Sequence, residues 1–263
     1  MNVLPSGIAV ADTGGDLPPV LCLHGIGSSS AAFAGLAREL SDRLRIIAWD
    51  APGYAASADP PAAPGMDGYA DAAAGVLDAL GLERSLVLGV SFGGVIATRL
   101  ALRHPDRVTA LVLADSTRGS GASPDGGAAM RARGAELAAS DPADFARRRA
   151  PRLLSAAAPP EAVEAVADAM RAAIRLPGYG HAARAMADTD HGPRLGEVAV
   201  PTLVVVGSAD VVCPPAESRR LAAGIPGARY AEIPGAGHLA NQERPAAFAA
   251  AVADFLTSHH SKE

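Results

Sequence analysis

Aromatic side chains are scarce in this sequence, at 4% of 263 residues with a single tryptophan. Apolar residues still make up 49% of the chain, so a large core can be buried from aliphatic side chains. A basic excess is also lacking. The formal net charge is −5 and the pI lies near 5.8, which leaves no electrostatic footprint for nucleic acid. No apolar run reaches about eighteen residues, so no membrane span is expected. Met1 to Val10 lacks a basic segment followed by an apolar stretch and does not read as a secretory leader. The expected address is cytoplasmic. Cysteine is nearly absent. Cys22 sits in an apolar run and reads as a small buried hydrophobe, and neither it nor Cys213 belongs to a paired, metal-type motif. A disulfide, a zinc site and a redox role are therefore not expected.

What is present is an alternation of short apolar runs and alanine-rich helical segments. Val20 to Leu23, Arg45 to Trp49, Ser85 to Val90, Val108 to Ala114 and Thr202 to Val206 are nearly continuous Val, Leu and Ile. Strands covered on both faces by helices have this pattern. Helices are predicted near Ala31 to Leu40, Asp67 to Leu80, Phe92 to Arg103, Ala216 to Ala223 and Pro245 to Leu256. The alternation predicts an α/β fold with a doubly wound, mostly parallel sheet.

One stretch, from about Thr117 to Val198, holds no convincing strand. Gly119 to Gly127 reads as a mobile loop. Helical segments follow around Ala128 to Ala139, Pro142 to Arg152, Glu161 to Ile174 and Gly180 to Ala187. The chain is thus divided into a core at 1–117, a helical cap at 118–197 inserted before the next strand, and a second core part at 198–263. Extra surface packing is the plain account of the insertion. A lid is the functional one, because ligands of open α/β sheets bind beyond the carboxyl ends of the strands.

Gly89-Val90-Ser91-Phe92-Gly93 fits G-x-S-x-G between an apolar run and a helical segment, the context a nucleophile elbow requires. A serine-containing tight turn is the alternative. A serine hydroxyl needs a base. Among seven histidines, His238 stands in Pro234-Gly235-Ala236-Gly237-His238, a glycine-lined loop between the run Arg229 to Ile233 and the last helix. His104 reads as a helix terminus, and His259 and His260 as a tail. His181 and His191 lie in the cap, facing solvent or substrate. His24 reads as a structural ring that holds its loop. The base in turn needs a carboxylate. Asp210 follows the run Leu203 to Val206 and gives the chain order Ser, Asp, His; Asp115, after Val108 to Ala114, is its rival. An oxyanion would be held by the Phe92 N–H and by the Ile26 N–H in His24-Gly25-Ile26-Gly27-Ser28. Gly25, Ser28, Phe33, Tyr179 and Leu239 are candidate substrate contacts, with Met130, Phe145 and Met186 as further apolar candidates.

With these residues in place, the chain resembles the α/β-hydrolase superfamily over nearly its whole length. The segments LCLHGIGSS, WDAPGYAAS, GVSFGG, PTLVVVGSADVVCPP and PGAGHLANQERP carry the resemblance. Within it, the chain looks most like bacterial enol-lactonases of the 3-oxoadipate type. The resemblance implies the nucleophile, acid, base and oxyanion roles at the positions above, a helical cap, no cofactor and no metal. The implied partner is a small-molecule ester or lactone, with neither nucleic acid nor membrane; a homodimer stays open. Two departures stand out. Ala55 occupies a place where the WDxPGxGxS pattern has glycine, and the N-terminus is short of two full strands. Other reactions on the same site also stay open, namely C–C bond hydrolysis, thioester hydrolysis and perhydrolysis, as does a non-catalytic binding protein. The cap is rich in arginine: Arg131, Arg133, Arg147, Arg148, Arg149, Arg152, Arg171, Arg175, Arg184 and Arg194. Any one of them could clamp a substrate carboxylate, although each singly reads first as part of a solvated face.

Overall fold

The computed structural model describes residues 1–259. His260 lies outside the described residues. The strands are β1 (Asn2–Val3), β2 (Ala9–Asp12), β3 (Pro19–Leu23), β4 (Arg45–Trp49), β5 (Ser85–Val90), β6 (Val108–Ala114), β7 (Thr202–Gly207) and β8 (Arg229–Ile233). They form one sheet in the order β1-β2-β4-β3-β5-β6-β7-β8. Pairing is parallel from β4 to β8, and β1 and β2 add an antiparallel edge. The N-terminal strands are therefore present but short, with two and four residues, too brief to show a periodic signal in sequence.

The sheet buries both faces, and the apolar runs divide between them with a period of two. Leu21, Leu23, Ile47, Trp49, Val87, Leu111, Leu113 and Val204 face one core. Val20, Cys22, Ile46, Ala48, Leu88, Val112, Leu203 and Val205 face the other. The first core is closed by α2 (Gly65–Ala79) and α3 (Phe92–Arg103), and the second by α1 (Ala34–Leu40) together with a C-terminal helix at Pro245–Ser258. Each fully buried Leu or Val contributes roughly 1.5–3 kcal/mol, so this double layer dominates the fold's stability.

Between β6 and β7 the chain forms α4 (Pro124–Ala138), α5 (Pro142–Arg149), α6 (Pro160–Ala173) and α7 (Gly178–Ala187). The expected loop at Gly119 to Gly127 is shorter than the sequence suggested, because α4 begins inside it. Ser123 caps that helix by accepting from the Gly126 N–H at 3.1 Å, and Pro124 takes the first turn. After β7 come α8 (Pro215–Gly224), α9 (Ala240–Glu243) and α10 (Pro245–Ser258).

Specific polar links tie the insertion to the sheet domain. The Arg175 guanidinium donates to Asp59 at 3.1 Å and to the Ala55 carbonyl at 2.9 Å. Ala55 itself has φ +41°, which explains why glycine is the usual residue there. His191 is neither solvent-facing nor substrate-facing. It is buried, and its Nε2–H donates to the Val95 carbonyl on α3 at 3.1 Å. Burial, with help from the Arg99 charge, pushes its pKa down from 6.5 to about 4. The folded ring stays neutral where the unfolded ring is protonated, so the unfolded chain binds more protons as pH falls from 6.5 toward about 4. Stability is therefore expected to drop across that window by up to about 3 kcal/mol from this residue alone. His191→Gln should flatten that drop. Urea midpoints measured on both proteins above and below the window test it, and an unchanged pH dependence in the variant would count against the account.

Candidate active site

The strand order sets the location. From β3 the chain moves one way to β4 and then crosses to β5 on the other side, so the carboxyl ends of β3 and β5 form a topological switch point. The loop after β3 carries Gly25 and Ile26, and the turn after β5 carries Ser91.

Ser91 has φ +53° and ψ −115°, a conformation side chains rarely adopt. Its surroundings over-determine it. The Ser91 N–H donates to the Ala114 carbonyl at 2.9 Å, while its own carbonyl accepts from the Gly94 N–H at 2.9 Å and from Ser116 Oγ at 2.8 Å. The flanking glycines are required by contact. A Cβ on Gly89 would lie 2.2 Å from the Gly93 oxygen, and one on Gly93 would lie 1.9 Å from the Leu23 oxygen. The turn thus lifts the serine hydroxyl off the sheet at the start of α3.

His238 comes from the loop after β8. That loop is locked from both sides. The Ala209 N–H donates to the Ala236 carbonyl at 2.9 Å, and the Gly237 N–H donates to Glu243 Oε2 at 2.8 Å. Glu243 Oε2 also accepts from the Ser155 N–H at 3.0 Å, and Ser155 Oγ donates to Oε1. Burial alone would raise this carboxyl, but the bonds from Ser155 and Gly237 hold it below the usual range. Glu243 therefore joins the insertion to the histidine loop, a connection no sequence spacing announced.

The His238 ring bridges two partners. Its Nε2 lies 3.0 Å from Ser91 Oγ, and its Nδ1 lies 2.8 Å from Asp210 Oδ2. Asp210 is fixed through its other oxygen, which accepts from the Val212 and Cys213 N–H groups at 2.7 and 2.9 Å. With Nδ1–H donated to the carboxylate, Nε2 is left to accept the serine proton. Asp115 sits elsewhere. It is buried with φ +47°, and its Oδ1 accepts from the Gly207 N–H at 2.8 Å. Burial, reinforced by the Asp210 charge, holds its carboxyl well above the usual range.

Ile26 and Phe92 offer backbone N–H groups that donate to no acceptor among the described residues. Phe92 is the first residue of α3, where N–H groups have no helical partner. Gly25 lies so near Ser91 that a Cβ on it would be 3.3 Å from the Ser91 Cβ. The loop is held by His24, whose Nδ1–H donates to the Gly25 carbonyl at 2.8 Å and whose Nε2 accepts from the Ala51 N–H at 2.9 Å. Burial pushes this ring's pKa down, which favours the neutral form that these two bonds need. His24 is thus structural, as its place in the sequence suggested.

These groups open into a cavity of about 450 Å³, within the size range of small-molecule sites. Gly25, Ser28, Tyr179, Leu239, Met130 and Met186 line it. Phe33 and Phe145 do not. Phe33 is buried beside Leu36 and Phe248 beneath the sheet, and Phe145 packs edge-on against Tyr179 at 5.3 Å. Met170, from the apolar stripe Val163, Val166, Met170 of α6, lines the wall unforeseen. Cys213 also reaches it, and with Asp210 and His238 puts three metal-type donors within 4.8 Å. Burial, then the Asp210 charge, holds the thiol well above its usual range, while the carboxylate and imidazole already serve each other. That donor set does not fit a cation.

The comparisons agree with this architecture. The alpha/beta hydrolase fold family matches residues 18–245, and the chain belongs to it. It is similar to the 2-hydroxy-6-oxononadienedioate/2-hydroxy-6-oxononatrienedioate hydrolase of Cupriavidus pinatubonensis, with 33% identity over 93% of this chain and 89% of that protein. A thermophilic esterase from Thermogutta terrifontis, solved with malate bound, superposes with a TM-score of 0.87 at 31% identity, covering 97% of this chain and 94% of the other. The enol-lactonase of Burkholderia xenovorans LB400 gives a TM-score of 0.84 at 27% identity over 95% and 96% of the two chains. A 35% identical match to the polyketide synthase ThaQ of Burkholderia thailandensis spans 92% of this chain but only 12% of that much longer protein. The protein is a hydrolase of this family. No helix among the described residues is long and apolar enough to cross a membrane.

Proposed function

We propose that this protein hydrolyses a carboxylic ester or lactone of a small molecule through an acyl-enzyme on Ser91. The observation that carries the reading is the unbroken hydrogen-bond chain Ser91–His238–Asp210, with links of 3.0 and 2.8 Å. His238 Nε2 takes the hydroxyl proton as Ser91 Oγ attacks the carbonyl carbon. The charge on the carbonyl oxygen is received by the Ile26 and Phe92 N–H groups. His238 returns the proton to the departing alcohol or enol. It then takes a proton from water as that water attacks the acyl carbon, and gives the proton to Ser91 Oγ as the acid leaves. The helices of residues 118–197 act as a lid that shields the acyl-enzyme. The similarity to an esterase and an enol-lactonase supports the ester-type bond.

A second reading is hydrolysis of a C–C bond beside a carbonyl on the same side chains. It is favoured by the relative named for a 2-hydroxy-6-oxo dienedioate, a name that contains a ketone and no ester. Turnover of a panel of p-nitrophenyl esters, aliphatic lactones and vinylogous 1,5-diketones decides between them. Turnover of esters or lactones but not diketones is the expected result, and the reverse pattern would replace the first reading with the second.

A further inference from the structure

The arginines of the helical insertion differ in their partners. Five of the ten named above have an acid of their own: Arg131 pairs with Asp188, Arg147 with Asp144, Arg171 with Asp168, Arg175 with Asp59 and Arg194 with Glu197, while Arg184 lies away from the Ser91 cavity in a separate hollow. Four others, Arg133, Arg148, Arg149 and Arg152, turn toward the cavity that holds Ser91, whose lining includes a single carboxylate, Glu136. Glu136 is already shared, at 2.5 Å from Arg149 and 3.5 Å from Arg148. Arg149 also lies over the Phe145 ring, 4.6 Å from its centroid.

Arg133, like Arg152, is without a counter-ion among the described residues. It is half-buried, beside the Tyr179 phenol and facing the like charges of Arg149 and Arg152. Burial first, then the Arg149 and Arg152 charges, push its pKa below the ordinary arginine value, with the Tyr179 phenol acting against them. A guanidinium remains charged even so. An uncompensated charge held partly out of water is costly and is kept where a ligand supplies the missing partner. The rest of the wall is largely apolar, with Met130, Val166, Met170 and Met186.

We infer that Arg133, flanked by Tyr179 and Arg152, is an anion subsite that receives a carboxylate at the far end of an otherwise apolar substrate. The inference rests on the reading of this cavity as the substrate site. It specifies the substrate class as a monoester or lactone that carries a free carboxylate. The planar fork of Arg133 suits the two oxygens of a carboxylate. Arg152 adds field, and Glu136 keeps Arg148 and Arg149 engaged so that the subsite takes one negative charge rather than two.

Binding to Ser91→Ala protein tests the inference without turnover. Calorimetry would compare monomethyl succinate, glutarate, adipate and pimelate with the methyl alkanoates of matching length. The best-bound half-ester should bind at least about tenfold more tightly than its neutral match, equivalent to roughly 1.4 kcal/mol. That preference should collapse toward unity when Arg133→Met is added. Equal binding of the two series, or a preference that survives Arg133→Met, overturns the inference. A second readout guards against a merely structural role. Removing an unpaired, partly buried charge is neutral or stabilising, so the thermal midpoint of Arg133→Met should hold or rise by about 2 °C. A clear fall would assign Arg133 to the fold instead. The two readings fail separately. A preference in Ser91→Ala protein with no ester turnover by the native enzyme leaves the anion subsite standing and removes the ester reading. Ester turnover with no preference does the opposite.

Discussion

Ser91→Ala protein is expected to lose turnover by between roughly 10⁴- and 10⁶-fold while keeping its fold. The size of the loss follows from the covalent route. Without Oγ there is no atom to carry the acyl group, and His238 and the oxyanion donors can only assist a free water. The fold is expected to survive because the strained turn is held by main-chain bonds. The Ser91 N–H and carbonyl make those bonds, whereas the hydroxyl is hydrogen-bonded to His238. Circular dichroism and the thermal midpoint should match the native protein. A variant that keeps turnover within about tenfold of native would exclude an acyl-enzyme at this residue.

The second large effect separates two neighbouring carboxyl groups. Asp210→Asn should cost about 10⁴-fold in kcat. An amide can offer its NH2 to Nδ1 of His238, which fixes the wrong tautomer and places the ring proton on Nε2, where it opposes the serine hydroxyl. Asp115→Asn should cost less than about tenfold, because a group away from the reacting atoms acts only through packing. Burial and the Asp210 charge hold its carboxyl well above the usual carboxylate range, and an amide oxygen can still accept from the Gly207 N–H. Steady-state kinetics on both variants checks the pair. A large loss at Asp115 with a small one at Asp210 would transfer the acid role to β6.

Much of this was open to reading from residues alone, for local reasons. The strands that bear the site are buried on both faces, so they appear as unbroken apolar runs such as Leu86 to Val90. The elbow is dictated by contacts within a few residues, which is why Gly89, Ser91 and Gly93 announce it. His238 and Asp210 follow strands at fixed positions, and the chain order of this fold points to them. What stayed hidden depends on packing between distant segments. β1 and β2 are too short for a pattern, and β2 exists because it pairs with β4. Phe33 has the composition of a pocket residue but lies one layer too deep, since a short 3-10 turn at Ser30–Phe33 rotates it into the core. His191 could not be placed without knowing that the insertion folds back onto α3. The arginines illustrate the same limit. Ten look alike in sequence, and only the arrangement of α4, α5 and the following turn distinguishes those with acids from Arg133 and Arg152, which line the cavity without one.

The central claim is that Ser91 is a working nucleophile activated by His238. Intact-mass measurement after exposure to a fluorophosphonate probe, followed by peptide mapping, tests it most directly. The account predicts one adduct per chain, located on Ser91 and lost in His238→Ala protein. An unlabelled native protein, or an adduct on another residue that persists without His238, would contradict it.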